Sequence, residues 1–326
     1  MSWKFPLSVV VLTMNRPTLL HNCLRILFAH TATPFELVLL DNGSSMPQVH
    51  EILDALAAEH PDSVRLIKSD MNLGCGIGRA KALAEATGET LATLDSDMCV
   101  TPGWETTMLD RLYESDDIAA VGAKIINPDN HLFGNGGVCR TIGSGFVHLE
   151  NIDFCKTIFD PTLAGRRDCD WVPAGAMMMR RAAYEQSPYS SRRYKNCMVE
   201  INVAFKMRRR GWRVVNCPEA VTYHYSDVLE EDQKKDYFAV RRSAAVFCQS
   251  TLYFQDDFGV NPVTSWDCPR HFLRMDNPSL LTLHEFFQDL RTHLADTGCV
   301  HTEPDGVRLY DVTGIEAFLT QRGIEP

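Results

Sequence analysis

Along the first hundred residues, largely apolar runs alternate with stretches whose apolar residues recur three and four positions apart. LSVVVLT, FELVLLD, SVRLIKSD and ETLATLD are the runs, starting at Leu7, Phe35, Ser63 and Glu89. RPTLLHNCLRILFAHT, VHEILDALAAEHP and GIGRAKALAEATG separate them with the spacing of amphipathic helices. Strands that are apolar at nearly every position are buried on both faces. The pattern therefore predicts an α/β fold with a mainly parallel central sheet flanked by helices. In such sheets ligands bind beyond the carboxyl ends of the strands. Here every run ends in polar groups: Thr13 with Asn15, Asp41 with Asn42, Asp70 with Asn72, and Asp95 with Asp97. One polar strand end is ordinary, but four in succession predict a single polar crevice.

Two of these strand ends carry candidate chemistry. In TLDSDMCVTPGW, Asp95 and Asp97 stand one residue apart at the end of an apolar run. Such a pair is either a solvated strand end leading to a helix, where acids are mildly favourable, or a site that shares a cation, or a cation and a sugar hydroxyl. In NLGCGIGRA, Gly74, Gly76 and Gly78 lie between a strand and a helix, as in a dinucleotide-binding loop. Arg79 takes the place of the last glycine, however, and the motif follows the third strand rather than the first. The other readings are a helix start packed closely on the sheet, or a loop that meets a diphosphate with backbone N–H groups and Arg79.

Composition narrows the classes. A chain of 326 residues holds one large α/β domain with an extension, or two domains. The net charge of −10 argues against a nucleic-acid partner, in spite of the basic run Arg208 to Arg210 at a helix end. No apolar stretch approaches the ~20 residues of a membrane span, and the N-terminal apolar run reads as a strand rather than a secretory signal. Eleven cysteines, an odd number without a C-x-x-C pair, lead us to expect reduced thiols in a cytoplasmic protein and no structural zinc.

Seven segments in order then carry a resemblance: SVVVLTMNRPTLL, ELVLLDNGSS, NLGCGIGRAKAL, LATLDSDMCVTPGW, VGAKIINPD, WVPAGAMMMRRAAYE and RRGWRVVNCPEAVTYH. Together they resemble the family 2 glycosyltransferases with the GT-A fold, especially the rhamnosyltransferase-like branch. The resemblance runs from about Leu7 to about His224, with a weaker echo to about Tyr253. It implies a GT-A domain with a Rossmann-like nucleotide-binding half over residues 1–225. A mostly helical extension over 226–326 would serve as lid, acceptor platform or homodimer contact.

The resemblance also implies roles. Thr13, Asn15, Arg16, Asp41, Asn72, Gly74, Arg79, Asp95 and Ser96 would meet a UDP-, dTDP- or GDP-sugar. Asp97 would ligate Mg²⁺ or Mn²⁺, with Asp95 facing the ribose or reaching the metal through water. His224 would be a further ligand, or else a buried histidine closing the last strand. Oxygen ligands suit these cations, which offset charge growing on a leaving diphosphate.

The family's base usually comes from a Glu-Asp-x-Asp segment shortly before a Gly-Trp pair. Counting back from Gly211 and Trp212, that segment is Val199, Glu200, Ile201 and Asn202. Two acids are thus replaced, and Glu200 stands in the base position. It is also the only acid between Glu185 and Glu219. As a base it would deprotonate an acceptor hydroxyl while the sugar leaves with inversion; otherwise it is a helix-surface residue paired with an arginine. Trp171 would stack on an acceptor sugar or belong to the core, with Gly175 beside the sugar, and Met177 to Met179 read as a buried strand. Met14 replaces a common aromatic contact to the nucleobase, which leaves the base open. The acceptor is a glycan, a peptide or a small molecule. Two other functions remain at this point: a nucleotidyltransferase on a related sheet, and a non-catalytic sugar-nucleotide-binding protein.

Overall fold

The computed structural model describes residues 6–143, 145–225, 243–264 and 279–326. The charged stretch over 226–242 lies outside the described residues. Strand and helix alternate first as the sequence predicts: β1 (Leu7–Thr13), α1 (Pro17–His30), β2 (Phe35–Asn42), α2 (Pro47–Glu59), β3 (Val64–Ser69), α3 (Gly74–Glu85) and β4 (Thr90–Asp95). β1 pairs in parallel with both β2 and β4, and β2 pairs in parallel with β3. The order across the sheet is therefore β4-β1-β2-β3.

That order has a functional consequence. The chain steps outward from β1 to β3 and then crosses back to β4. Right-handed crossovers put α1 and α2 on one face and α3 on the other. Side chains agree: Val9, Val11, Leu37 and Leu39 share a core cluster with Leu20, Leu24, Leu27, Val49 and Leu53. On the opposite face Leu12 and Leu40 lie against Gly78 of α3. The direction reverses between β1 and β4, and a crevice opens at the carboxyl ends of strands at such a point.

The remaining elements are β5 (Met98–Val100), α4 (Trp104–Leu112), β6 (Ile118–Ile126), β7 (Leu132–Gly134), β8 (Gly137–Gly143), β9 (Phe146–Asn151), β10 (Asp168–Cys169), β11 (Ala176–Arg180), α5 (Arg181–Gln186), α6 (Val199–Arg209) and β12 (Arg213–His224). They extend the sheet to β10-β12-β6-β11-β4-β1-β2-β3. β11, the methionine run, is buried as expected but antiparallel to both β4 and β6. β12 pairs in parallel with β6 and carries β5 along its far end, so His224 stands opposite Met98. Val9, Val10, Val11 and Leu37 to Leu40 are 0% exposed. Each such side chain contributes ~1.5–3 kcal/mol by leaving water, and truncating one to Ala costs ~2–5 kcal/mol.

C-terminal to these lie α7 (Ala244–Phe258), β13 (Asn261–Thr264), α8 (Leu280–Asp296), β14 (Val300–Thr302), β15 (Arg308–Tyr310) and α9 (Val312–Gln321). Ser243, Ser279 and Asp311 cap the three helices by accepting backbone N–H groups. Among the described residues the chain divides into two units. One comprises 6–138, 151–191 and 200–225; the other comprises 139–143, 145–150, 192–199, 243–264 and 279–326. The second unit thus takes two short segments from within the first 225 residues. It contains a three-stranded sheet, β13-β9-β8. Its core gathers Phe247, Phe254, Phe286, Phe287, Leu290 and Phe318. There the Arg193 guanidinium lies 4.4 Å from the ring of Tyr253 and donates to Asp257 at 2.8 Å.

Candidate functional site

Register brings the polar strand ends together. Thr13 stands opposite Asp41 across β1 and β2, and Leu12 stands opposite Asp95 across β1 and β4. Asp41 is 1% exposed, accepts from the Ser44 N–H at 2.9 Å and lies 3.1 Å from His50 Nδ1. Thr13 Oγ1 is buried with no partner among the described residues. Asn15, at φ 49°, braces two loops: its Oδ1 accepts from the N–H groups of Ser45 and Met46 at 2.7 and 3.1 Å. Asn72 braces a third, since its Oδ1 accepts from the Gly74 N–H at 2.8 Å and from Asn42 Nδ2 at 3.1 Å. Gly74 has φ +77°, a left-handed conformation that opens α3 and that a side chain resists.

One acid of the pair belongs to an arginine. Arg79 Nη2 donates to Asp95 Oδ1, with the guanidinium buried and the carboxylate 37% exposed. Burial opposes the Arg79 charge, but Asp95, Cys75, Tyr189 and Glu200 outweigh it and hold its pKa above the ordinary value. Glu200, half-buried in the first turn of α6, is therefore within electrostatic reach of the Arg79–Asp95 pair. Gly175 keeps space beside Asp95: a Cβ there would lie 3.1 Å from Asp95 Oδ2 and 2.5 Å from Met98 Cε. Its carbonyl also accepts from the Asp95 N–H at 3.0 Å. Ser96 is buried in the turn between the two acids.

The other acid is more deeply set. Asp97 is 6% exposed, and its Oδ2 accepts from Arg16 Nη1 at 2.6 Å. His224 Nε2 lies 3.5 Å from the same oxygen. The His224 ring is 4% exposed and packs on Phe133, and its Nδ1 has no partner among the described residues. Cys23 of α1 lies underneath. Burial pushes its thiol well up, and Cys99, Asp97 and Asp95 add to the shift. No cluster of three or more His, Cys, Asp or Glu residues able to hold a metal occurs among the described residues. A carboxylate and an imidazole converging on one point nevertheless fit Mn²⁺ or Mg²⁺, which draw the rest of their shell from substrate oxygens and water. Asp95, turned to Arg79, is not part of that pair.

Residues 8–169 match the model of glycosyl transferase family 2. The chain belongs to that family. The O-antigen biosynthesis protein RfbC of Myxococcus xanthus is 25% identical over 233 residues, which is 67% of this chain and 17% of that protein. The N-acetylglucosaminyl-diphospho-decaprenol L-rhamnosyltransferase of Mycobacterium tuberculosis is 23% identical over 265 residues, 74% of this chain and 83% of that one. This chain thus spans a small part of the first relative and most of the second. The structure of GalNAc-T7 with UDP, GalNAc and Mn²⁺ superposes with a TM-score of 0.57 at 14% identity, covering 98% of this chain and 55% of that one. The fold of this family 2 glycosyltransferase is GT-A. No helix among its described residues is long and apolar enough to cross a membrane.

One candidate of this family 2 glycosyltransferase is corrected. Trp171 is 2% exposed, and its backbone bridges to Gly137, whose missing side chain leaves room for the indole. With its faces covered it has no surface to offer a sugar. Val199 and Asn202, which replace two acids of the family pattern, are each 1% exposed, so both departures fall on buried positions. Two residues went unseen in the sequence. His50 meets Asp41 from the first turn of α2. Tyr189, in the segment between α5 and α6, is 4% exposed, and its hydroxyl has no partner among the described residues. No motif marks either one.

Proposed function

We propose that the protein moves a sugar from a nucleotide-sugar to an acceptor nucleophile, by single displacement with inversion at the anomeric carbon and with a divalent cation. The observation that best supports this reading is the Arg79–Asp95 ion pair at the strand end where the sheet order reverses, with Glu200 among the charges that hold the Arg79 pKa up. A base, a diphosphate-binding cation and a polar acceptor for ribose hydroxyls are the parts such a transfer needs.

Each residue has a separate task. Asp41 offers a buried acceptor to the nucleobase, with His50 holding its second oxygen. Arg79 and the N-terminus of α3 meet the diphosphate, where the positive end of the helix favours anions. Asp97 and His224 would hold Mn²⁺ or Mg²⁺, which would supply electrostatic stabilisation of the departing diphosphate. Glu200 takes the proton from the acceptor hydroxyl as that oxygen attacks. The rhamnosyl group in the mycobacterial relative's name and the UDP and GalNAc of the solved neighbour support a hexose or deoxyhexose donor. The acceptor class is a glycan, a peptide or a small molecule.

The test is donor hydrolysis and transfer with Mn²⁺ across UDP-, dTDP- and GDP-sugars, repeated in chelator. Metal-stimulated release of the nucleoside diphosphate is expected, and Glu200→Gln should cut transfer by ~10²-fold or more while donor binding persists. Transfer at the normal rate by Glu200→Gln, or a product that keeps the donor's configuration, would refute the assigned base. Pyrophosphate release from a nucleoside triphosphate would instead identify a nucleotidyltransferase.

A further inference from the structure

Arg16 stands where a cation is needed. It directly precedes α1, and its carbonyl accepts the Leu20 N–H at 2.9 Å, so its backbone is anchored at the helix start. Its guanidinium reaches Asp97 across 81 residues of sequence, and the two side chains are 8% and 6% exposed. The same carboxylate oxygen faces His224. The position assigned above to a divalent ion therefore already has a positive charge on its carboxylate. Nothing in the sequence pairs these residues.

We propose that Arg16 holds Asp97 until the donor arrives, so that the protein takes its metal as a nucleoside diphosphate complex and rejects the bare ion. This rests on the metal role given to Asp97 and His224 under the proposed function. A dication joining Asp97 would stand beside a buried guanidinium, where solvent screens the repulsion poorly. A carboxylate carries one negative charge and cannot balance both. A diphosphate supplies the missing charge. Its oxygens can ligate the ion and also accept from the guanidinium, whose fork matches phosphate as well as it matches carboxylate. Arg16 then turns from Asp97 to the diphosphate without losing a partner. Metal and nucleotide each tighten the other by the same factor, as linkage requires.

The experiment is a Mn²⁺ titration of the whole chain, read by loss of the free-ion EPR signal, alone and with UDP, dTDP or GDP. For the unaltered protein we expect weak binding of bare Mn²⁺ and at least ~10-fold tighter binding with the matching nucleotide, within the usual range of coupling. Arg16→Met should bind bare Mn²⁺ at least ~10-fold more tightly than the unaltered protein and show less gain from nucleotide. Arg16→Lys, which keeps the charge, should still reject the bare ion. Asp97→Asn should lose the signal change in every case and so identifies the site being read. Tight binding of bare Mn²⁺ by the unaltered protein overturns the proposal, whether or not Arg16→Met folds. An unchanged bare affinity in a folded Arg16→Met also overturns it, while nucleotide-dependent binding would leave the metal reading standing. If no nucleotide brings Mn²⁺ to the unaltered protein, the metal reading itself falls, and this proposal with it.

Discussion

Replacing Tyr189 with Phe should make the protein more stable, the opposite of what losing a buried tyrosine hydroxyl usually does. The hydroxyl is buried, and no described residue bonds it. Burying such a group without a partner costs ~1–3 kcal/mol, and phenylalanine removes that cost. The ring keeps its packing, including the Tyr184 ring with centroids 6.1 Å apart. With a urea m-value of ~3 kcal/mol/M, the unfolding midpoint should rise by ~0.3–1 M. Far-UV circular dichroism and tryptophan fluorescence, followed together, give the midpoint. A second signature comes from pH. Burial raises the phenol above its ordinary 10.0, Glu200 and Tyr184 push the same way, and Arg79 opposes. The unfolded chain releases this proton near pH 10 while the folded protein keeps it. The stability tied to that proton is complete below pH 10 and is lost as pH rises further. The phenylalanine variant lacks that loss, so its advantage should widen above pH 10. A midpoint lowered by the substitution, or an advantage that shrinks in alkali, would show that the hydroxyl has a partner and would refute the reasoning.

Three other outcomes follow from the geometry. Gly175→Ala should leave the melting curve close to normal but weaken donor binding, because the new Cβ meets the mobile end of Met98 and presses on Asp95 Oδ2 at 3.1 Å; isothermal titration with the nucleoside diphosphate measures it, and unaltered affinity contradicts it. Gly137→Ala should destabilise by ~1–3 kcal/mol or more, since its Cβ would fall 1.9 Å from Trp171 Cε2. A thermal melt within ~0.5 kcal/mol of the unaltered protein would contradict the buried setting of that indole. Asp41→Ala should raise the dissociation constant for the bare nucleoside diphosphate, and an unchanged titration would move the nucleobase pocket elsewhere.

The sequence alone determined the half of the sheet built from β1 to β4. Alternation of strand and helix is a local property, because burial on both faces demands apolar residues along β1, β2 and β4 and helices demand them every third or fourth; β3, at the sheet edge, keeps Arg65 and Lys68 exposed. The crevice was legible for the same reason. Polar residues close the apolar strands, and parallel strands end at the same edge; Thr13, Asp41 and Asp95 do so, although Thr13 and Asp41 stay buried there. What the tertiary structure decided is partnership. A run such as Ala176 to Arg180 carries no mark of direction, and only its neighbours made it antiparallel between β4 and β6. Trp171 carries no mark of depth, and the space at Gly137 settled it as core. Asn15 and Asn72, read as ligand contacts, spend their side-chain oxygens on loop N–H groups that need acceptors. Asp97 was legible as an acid of the site, but its hold on Arg16 was not. Periodicity reports which residues share a face; it does not report which of them meet from opposite ends of the chain, since those contacts form only when the sheet closes and the loops at its edge come together.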